Sequence, residues 1–324
     1  MRLSAFVIVS IFSYICFVLS LILNILLIVV VSKYTTKYLL PYRRPLIITA
    51  IANLLLSGVF MIVQPAFVLK QQIIFIFILG PMGLTSHDVR YAFMLLYVSL
   101  FIFTCHQSLL VFFYRYAFIF RPRTPSSNSI YLGGLAFFAI TTCVSAIYFL
   151  ILSTTSTNLD SYKEILGRWA NEILGSPNAS YLIYPTDSSG KISAAVLLLF
   201  LIIGYIGIYV MHEVINWRLK SSRNAVSHSR TLQIARATII MTAGTCFVGF
   251  LPYTVMMVCI LCNLEIGVWA IPIPLGSAFI PVLAPATLFC KVDAYRSSLK
   301  AIVIQYFHVP RPTLVTPKAD KEPA

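Results

Sequence analysis

Side chains able to carry chemistry are sparse in this 324-residue chain, and their positions say more than their number. All ten Asp and Glu lie outside the long apolar runs. Ion-coupled transport places carboxylates near the bilayer midplane, and catalysis or metal binding needs paired acids or His/Cys/Asp clusters. The apolar runs hold neither, so the pattern predicts no enzyme, no metal and no cofactor. The seven cysteines (Cys16, Cys105, Cys143, Cys246, Cys259, Cys262 and Cys290) lie in or at the ends of apolar runs, with neither metal-ligand spacing nor a disulfide framework. Packing as small apolar side chains is what that distribution predicts for most of them. One ionisable side chain stands deep in an apolar run: His106, beside Gln107, nine residues before Arg115. At 1.5 Å per helical residue that is roughly 13 Å from the boundary. A polar pair at that depth faces the protein interior. There it either contacts a ligand or acts as a switch, or it forms an interhelical hydrogen bond.

Two further groups of residues are candidates for motion and coupling. Pro252, within Gly249-Phe250-Leu251-Pro252-Tyr253, removes a backbone donor in mid-helix and clashes one turn earlier, which predicts a kink. Pro272, Pro274, Pro281 and Pro285 predict an irregular last helix, although prolines are ordinary in membrane helices. The run Tyr114-Arg115-Tyr116, followed by Pro122, ends another apolar segment. On general grounds that arginine snorkels to lipid head groups.

These residues need elements to position them, and composition says which. The chain is 59% hydrophobic and 10% charged with mean hydropathy +0.88, against about 25% charged in a soluble domain. A helical bilayer crossing takes roughly 20 mostly apolar residues, and helix is the default because lipid leaves exposed backbone groups unsatisfied. Seven runs qualify, at about residues 5–31, 45–69, 91–114, 130–153, 192–211, 237–262 and 269–290, and none contains Asp, Glu, Lys or Arg. The first run is too long for a signal-peptide core and is followed by Lys33 and Lys37, so it is expected to stay as a helix. Residues 73–84 are apolar but too short to span and contain Gly80, Pro81 and Gly83, which predicts an interfacial loop. The expected fold is therefore an all-α membrane protein, a seven-transmembrane helix bundle spanning residues 1–308.

The net charge of +14 is distributed unevenly. The segments 32–44, 115–129, 212–236 and 291–324 carry 18 of the 24 Lys and Arg, while the other side is neutral. The positive-inside rule then predicts the N-terminus outside and the tail in the cytosol. Basic loops beside a bilayer imply membrane lipids and cytosolic partners and no nucleic acid. The sequon Asn178-Ala179-Ser180 falls in the loop 154–191 assigned to the outside, which makes Asn178 a glycosylation candidate. In residues 291–307, Val292, Tyr295, Leu299, Ile302, Val303 and Tyr306 recur at helical spacing, predicting an amphipathic helix on the inner leaflet. Cys290 at its start is either a palmitoylation site or a plain boundary thiol. Residues 309–324, with four prolines and mixed charge, are expected to be disordered.

With the bundle and its motifs in place, the chain resembles the G-protein-coupled receptors. Tyr114-Arg115-Tyr116 with Pro122 is similar to their Asp-Arg-Tyr motif, Asn24 and Asn53 fall at their polar positions in helices 1 and 2, and Phe250-Leu251-Pro252-Tyr253 and Pro285 match the helix 6 and helix 7 prolines. The departures point further. Tyr114 replaces the Asp, Ala284 and Leu288 replace polar residues of helix 7, and the loop 154–191 has no cysteine for the usual disulfide to helix 3. Together with Pro41-Tyr42-Arg43, Pro281-Val282-Leu283-Ala284-Pro285 and Tyr295-Arg296, they resemble the nematode serpentine chemoreceptors of the Str-type superfamily, with class delta the best match.

The resemblance implies a chemosensory receptor at the plasma membrane of a sensory neuron, with a small odorant-like ligand and a heterotrimeric G protein as partners. It assigns coupling to Arg115, Tyr116, Arg218, Lys220 and Arg223, switching through helix 6 to Phe250, Pro252 and Pro285, and the ligand pocket to His106 and Gln107. Two alternatives from other classes are a seven-helix ligand-gated channel, which needs the opposite orientation, and a small-solute facilitator, which should show an internal repeat.

Overall fold

The structure, a computed structural model, describes residues 2–34, 42–70, 72–120, 127–154, 181–220 and 225–306. Asn178, Arg223 and the tail 309–324 lie outside the described residues, as do the side chains of Arg115, Arg218 and Lys220.

Among the described residues, seven helices are long and apolar enough to cross a membrane. They are α1 (Arg2–Lys33), α2 (Arg43–Val63), α3 (His87–Phe120), α4 (Ser127–Thr154), α5 (Ser188–Lys220), α6 and α7 (Ile273–Lys291). The sixth, α6, is built from Ala225–Thr245, a π-helical turn Cys246–Phe250, and Leu251–Leu261. Several run past the expected apolar spans because a helix continues through the polar head-group zone after its apolar stretch ends. The window through α3 is the most buried of the seven, while those through α4 and α5 are among the most exposed. Large apolar side chains such as Ile8, Leu132, Leu135, Leu199, Ile203 and Phe247 stand exposed around the rim, an outer surface suited to lipid rather than water.

The expected second span, 45–69, is too long. α2 stops at Val63, where Gln64 turns left-handed (φ 44°) ahead of Pro65 and donates its backbone N–H to the Phe60 carbonyl. The chain then forms β1 (Pro65–Lys70) and β2 (Ile73–Ile78), followed by β3 (Tyr181–Pro185), in an antiparallel sheet of order β1-β2-β3. The expected interfacial loop at 73–84 is thus a strand and a 3-10 turn, Pro81–Leu84. One sheet face, with Phe67, Ile76 and Tyr184, packs on the bundle. The other, with Phe75, Phe77 and Ile183, packs with Val9 of α1 and Ile271. With both faces buried, the strands are continuous apolar runs without the alternation that marks a half-exposed strand. The free edge of β1 is closed by Gly267 (φ 58°), whose N–H donates to the Leu69 carbonyl at 2.8 Å.

The helix expected at 291–307 is α8 (Asp293–Tyr306). Its residues Tyr295, Leu299 and Ile302, with the preceding Val292, pack against Leu27, Val30 and Val31 of α1 and Leu46 of α2. Its apolar face is therefore partly used in anchoring the helix to the bundle.

Candidate functional site

Beneath the sheet lies a narrow cavity of about 30 Å³. β1 and β2 supply Phe67, Ile74 and Ile76; α3 supplies Met94, Tyr97, Val98 and Phe101; Tyr148, Tyr184 and α5 residues Leu197 and Leu201 close one side; and α6 supplies Tyr253, Met256 and Met257. None of these residues carries a charge. A volume of this order holds about one or two water-sized spheres, so a larger ligand needs the walls to move apart. Three of its walls are methionines, the most adaptable apolar side chains.

At its edge three hydroxyls tie three helices together. Tyr97 of α3 lies 2.6 Å from Tyr253 of α6 and 2.6 Å from Ser277 of α7, and Ser277 donates to the Pro274 carbonyl at 2.6 Å. All three side chains are buried. The Phe101 ring lies tilted 4.5 Å from the Tyr253 ring, and Phe67 approaches it edge-on at 6.0 Å.

The expected pocket residues stand outside the cavity lining. His106 is buried, with Nδ1 2.9 Å from the Ile102 carbonyl and Nε2 3.3 Å from the Leu201 carbonyl of α5. Its ring fills space left by Gly204, where a Cβ would overlap it. Tyr205 joins two of the expected groups: its ring is 5.6 Å from His106 and 4.7 Å from Phe250. Gln107 donates to Asn53 Oδ1, and Asn53 donates to Asn24 Oδ1, each at 3.3 Å. Asn24 in turn donates to the carbonyls of Ser20 and Pro281. That last bond has a backbone cause. Pro285 has no N–H to offer the carbonyl four residues earlier, and Asn24 of α1 provides the missing donor at 2.9 Å.

Pro252 has a parallel effect in α6. It leaves the Val248 carbonyl without its usual partner, and the chain widens into the π turn Cys246–Phe250 just before it. That carbonyl lies against Gly276 of α7 so closely that a Cβ there would overlap it. The kink expected at Pro252 is therefore a π turn packed against a glycine, one residue before Ser277.

Toward the other end of the bundle, Tyr114 is buried and has Arg44 of α2 as its charged neighbour. Tyr116 packs with Phe112, Ile208 and Ile215. Gln233 of α6 donates to Asp293 Oδ2 at 2.9 Å, and Arg296 pairs with the other oxygen of the same carboxylate. Cys290 is a free, exposed thiol. The hydroxyl chain, Tyr205 and Gly276 were missed by sequence reasoning. Their only sequence signal was a hydroxyl or glycine inside an apolar run, which tertiary contact alone gives a meaning.

A buried polar network across α1, α2, α3 and α7, a π turn before the proline of the sixth helix and a seventh helix that runs unbroken through Pro281 and Pro285 complete a seven-helix fold of the rhodopsin-like class. The structure of squid rhodopsin is similar, with a TM-score of 0.59 and 13% sequence identity, covering 95% of this chain and 87% of that one. At that identity the likeness concerns the fold alone. The chain belongs to the family described as serpentine type 7TM GPCR chemoreceptor Str, whose sequence profile matches residues 9–300. It is thus a multi-pass membrane receptor and not an enzyme. Comparison with curated proteins finds no sequence match.

Proposed function

We propose that this receptor binds a small uncharged external ligand in the cavity beneath the sheet and activates a heterotrimeric G protein through movement of the inner part of α6. The observation that carries the proposal is the Tyr253–Tyr97–Ser277 hydroxyl chain, which ties α6, α3 and α7 at the edge of a charge-free cavity. A ligand shifts a conformational equilibrium only by binding one arrangement better than the other. Opening the narrow cavity for a ligand separates the walls that the chain holds together, so occupancy and helix position are coupled. The π turn before Pro252 supplies a flexible point in α6 between the cavity and the basic segment 212–236.

The charge asymmetry supports a cytosolic location for Arg115, Tyr116, Arg218, Lys220 and Arg223, which form the coupling surface, with Phe250, Pro252 and Pro285 as the switch. In this reading His106 and Gln107 carry the ligand signal inward, through Tyr205 and Asn53 respectively. Asn178 is glycosylated outside, Cys290 is palmitoylated at the inner leaflet, and the receptor works at the plasma membrane of a sensory neuron. A panel of neutral odorant-like compounds, applied to cells expressing the receptor with a second-messenger readout, tests the proposal. A ligand-evoked response that depends on the G protein is expected; an ion current or solute uptake that persists without any G protein defeats it.

A further inference from the structure

The hydroxyl chain has a direction. A carbonyl oxygen only accepts, so the Ser277 proton is committed to Pro274. Tyr97 must then donate to Ser277, and Tyr253 must donate to Tyr97. Every proton in the chain is used, and Tyr253, a cavity-lining phenol on α6, is its terminal donor. A ligand that offers only a donor bonds to the Tyr253 oxygen and leaves the chain intact. A ligand that offers an acceptor competes with Tyr97 for the Tyr253 proton and breaks the bond joining α6 to α3.

We propose that the cavity selects an uncharged ligand bearing a hydrogen-bond acceptor, and that capture of the Tyr253 proton by that acceptor, releasing Tyr97, is the activating contact. The inference rests on the cavity being the ligand site of the proposed receptor. It adds a chemical class and a sign: acceptors activate, while donors without an acceptor hold the resting state. The neutral part follows from the lining, which contains no charged side chain to meet an ammonium or a carboxylate.

Cyclohexane, tetrahydropyran and piperidinium test this directly. They are rings of one size that differ at one position: a methylene, an acceptor oxygen or a charged nitrogen. Dissociation constants are taken from thermal unfolding of the purified full-length receptor in nanodiscs. Partition into lipid and differences in hydration cancel when the tetrahydropyran-to-cyclohexane affinity ratio is compared between variants in one medium. Tyr253→Phe, which removes the donor, should shift the ratio toward cyclohexane by roughly three- to tenfold, the worth of one net hydrogen bond. Tyr97→Phe, which removes the competing acceptor, should shift it toward tetrahydropyran.

Opposite shifts in the two variants, together with a G-protein response to tetrahydropyran and none to cyclohexane, establish the inference, and if one variant does not fold the other decides by its sign. An unchanged ratio in a folded variant, no stabilisation by either neutral ring, or piperidinium binding as tightly as tetrahydropyran overturns it. The two levels separate cleanly. Ratio shifts without any G-protein response refute the receptor mechanism and keep the ligand chemistry, whereas a G-protein response with an unchanged ratio does the reverse.

Discussion

Asn24 holds more of this molecule together than any single motif residue would suggest. Its amide reaches the Ser20 and Pro281 carbonyls, and its oxygen accepts from Asn53, so one buried side chain joins α1, α2 and α7. Asn24→Ala leaves the Pro281 carbonyl without a donor, because Pro285 has none to give. Leaving a buried polar group unsatisfied costs about 1–3 kcal/mol. The variant should therefore unfold at a clearly lower temperature than Gln107→Ala, which loses one 3.3 Å bond to Asn53. Equal unfolding midpoints would mean that the Pro281 carbonyl finds another donor. Gly204 offers a second residue-scale test. A Cβ there overlaps the His106 ring, and overpacking of this kind costs about 1–3 kcal/mol. Gly204→Ala should destabilise the receptor alone and do so far less in a His106→Ala background; a double-mutant cycle in thermal stability checks the coupling. At the proposed coupling end, Arg115 is preceded by Tyr114 and so has no carboxylate one residue before it. Arg115→Ala should abolish G-protein activation while ligand binding stays within a few-fold. Tyr114→Asp, with Arg44 also nearby, should lower ligand-independent signalling. Full signalling by a well-expressed Arg115→Ala receptor would refute the coupling role.

Among the elements, α6 and α7 form the pair whose geometry depends most on backbone chemistry. Pro252 frees the Val248 carbonyl, the π turn accommodates it, and Gly276 lets α7 approach where any side chain would collide. A Cβ at Gly276 meets backbone rather than the end of a flexible side chain, so the helices themselves must move. Gly276→Ala is accordingly expected to separate α6 from α7, strain the neighbouring Ser277 bond to Tyr97, and raise basal second-messenger output. Unchanged basal output in a stably expressed Gly276→Ala receptor would show that this contact does not hold the resting state. The sheet makes the complementary rigid element, since both its faces are buried and its β1 edge is capped by Gly267.

For the whole molecule the central question is which side of the membrane each end occupies. All of the net charge of +14 sits on one set of loops with the tail. An epitope placed in the loop 154–191 should be reached by antibody on intact cells, and one placed after Ala324 only after permeabilisation. The reverse labelling would remove the coupling assignments and favour the channel alternative. Loss of a mobility shift in Asn178→Gln would confirm that the sequon is used, which also requires that loop to be outside.

The number of membrane-crossing helices was legible in the sequence because lipid imposes a one-dimensional rule: about twenty apolar residues without charge per crossing. The proline of α6 was legible as a break for a similarly local reason, the missing N–H, whereas the irregular last helix expected from its prolines is instead continuous through Pro281 and Pro285, because Asn24 of α1 supplies the donor that Pro285 lacks. The sheet was not, because strands buried on both faces lose the alternation that would distinguish β1 from a continuation of α2. Nor was the cavity: Tyr97, Tyr253 and Ser277 are separated by up to 180 residues, and only packing puts their oxygens 2.6 Å apart. His106 and Gln107 were correctly expected to face the interior. Which interior group they meet was decided by Gly204 and Asn53 on other helices, and that partnering is a tertiary property no run of residues encodes by itself.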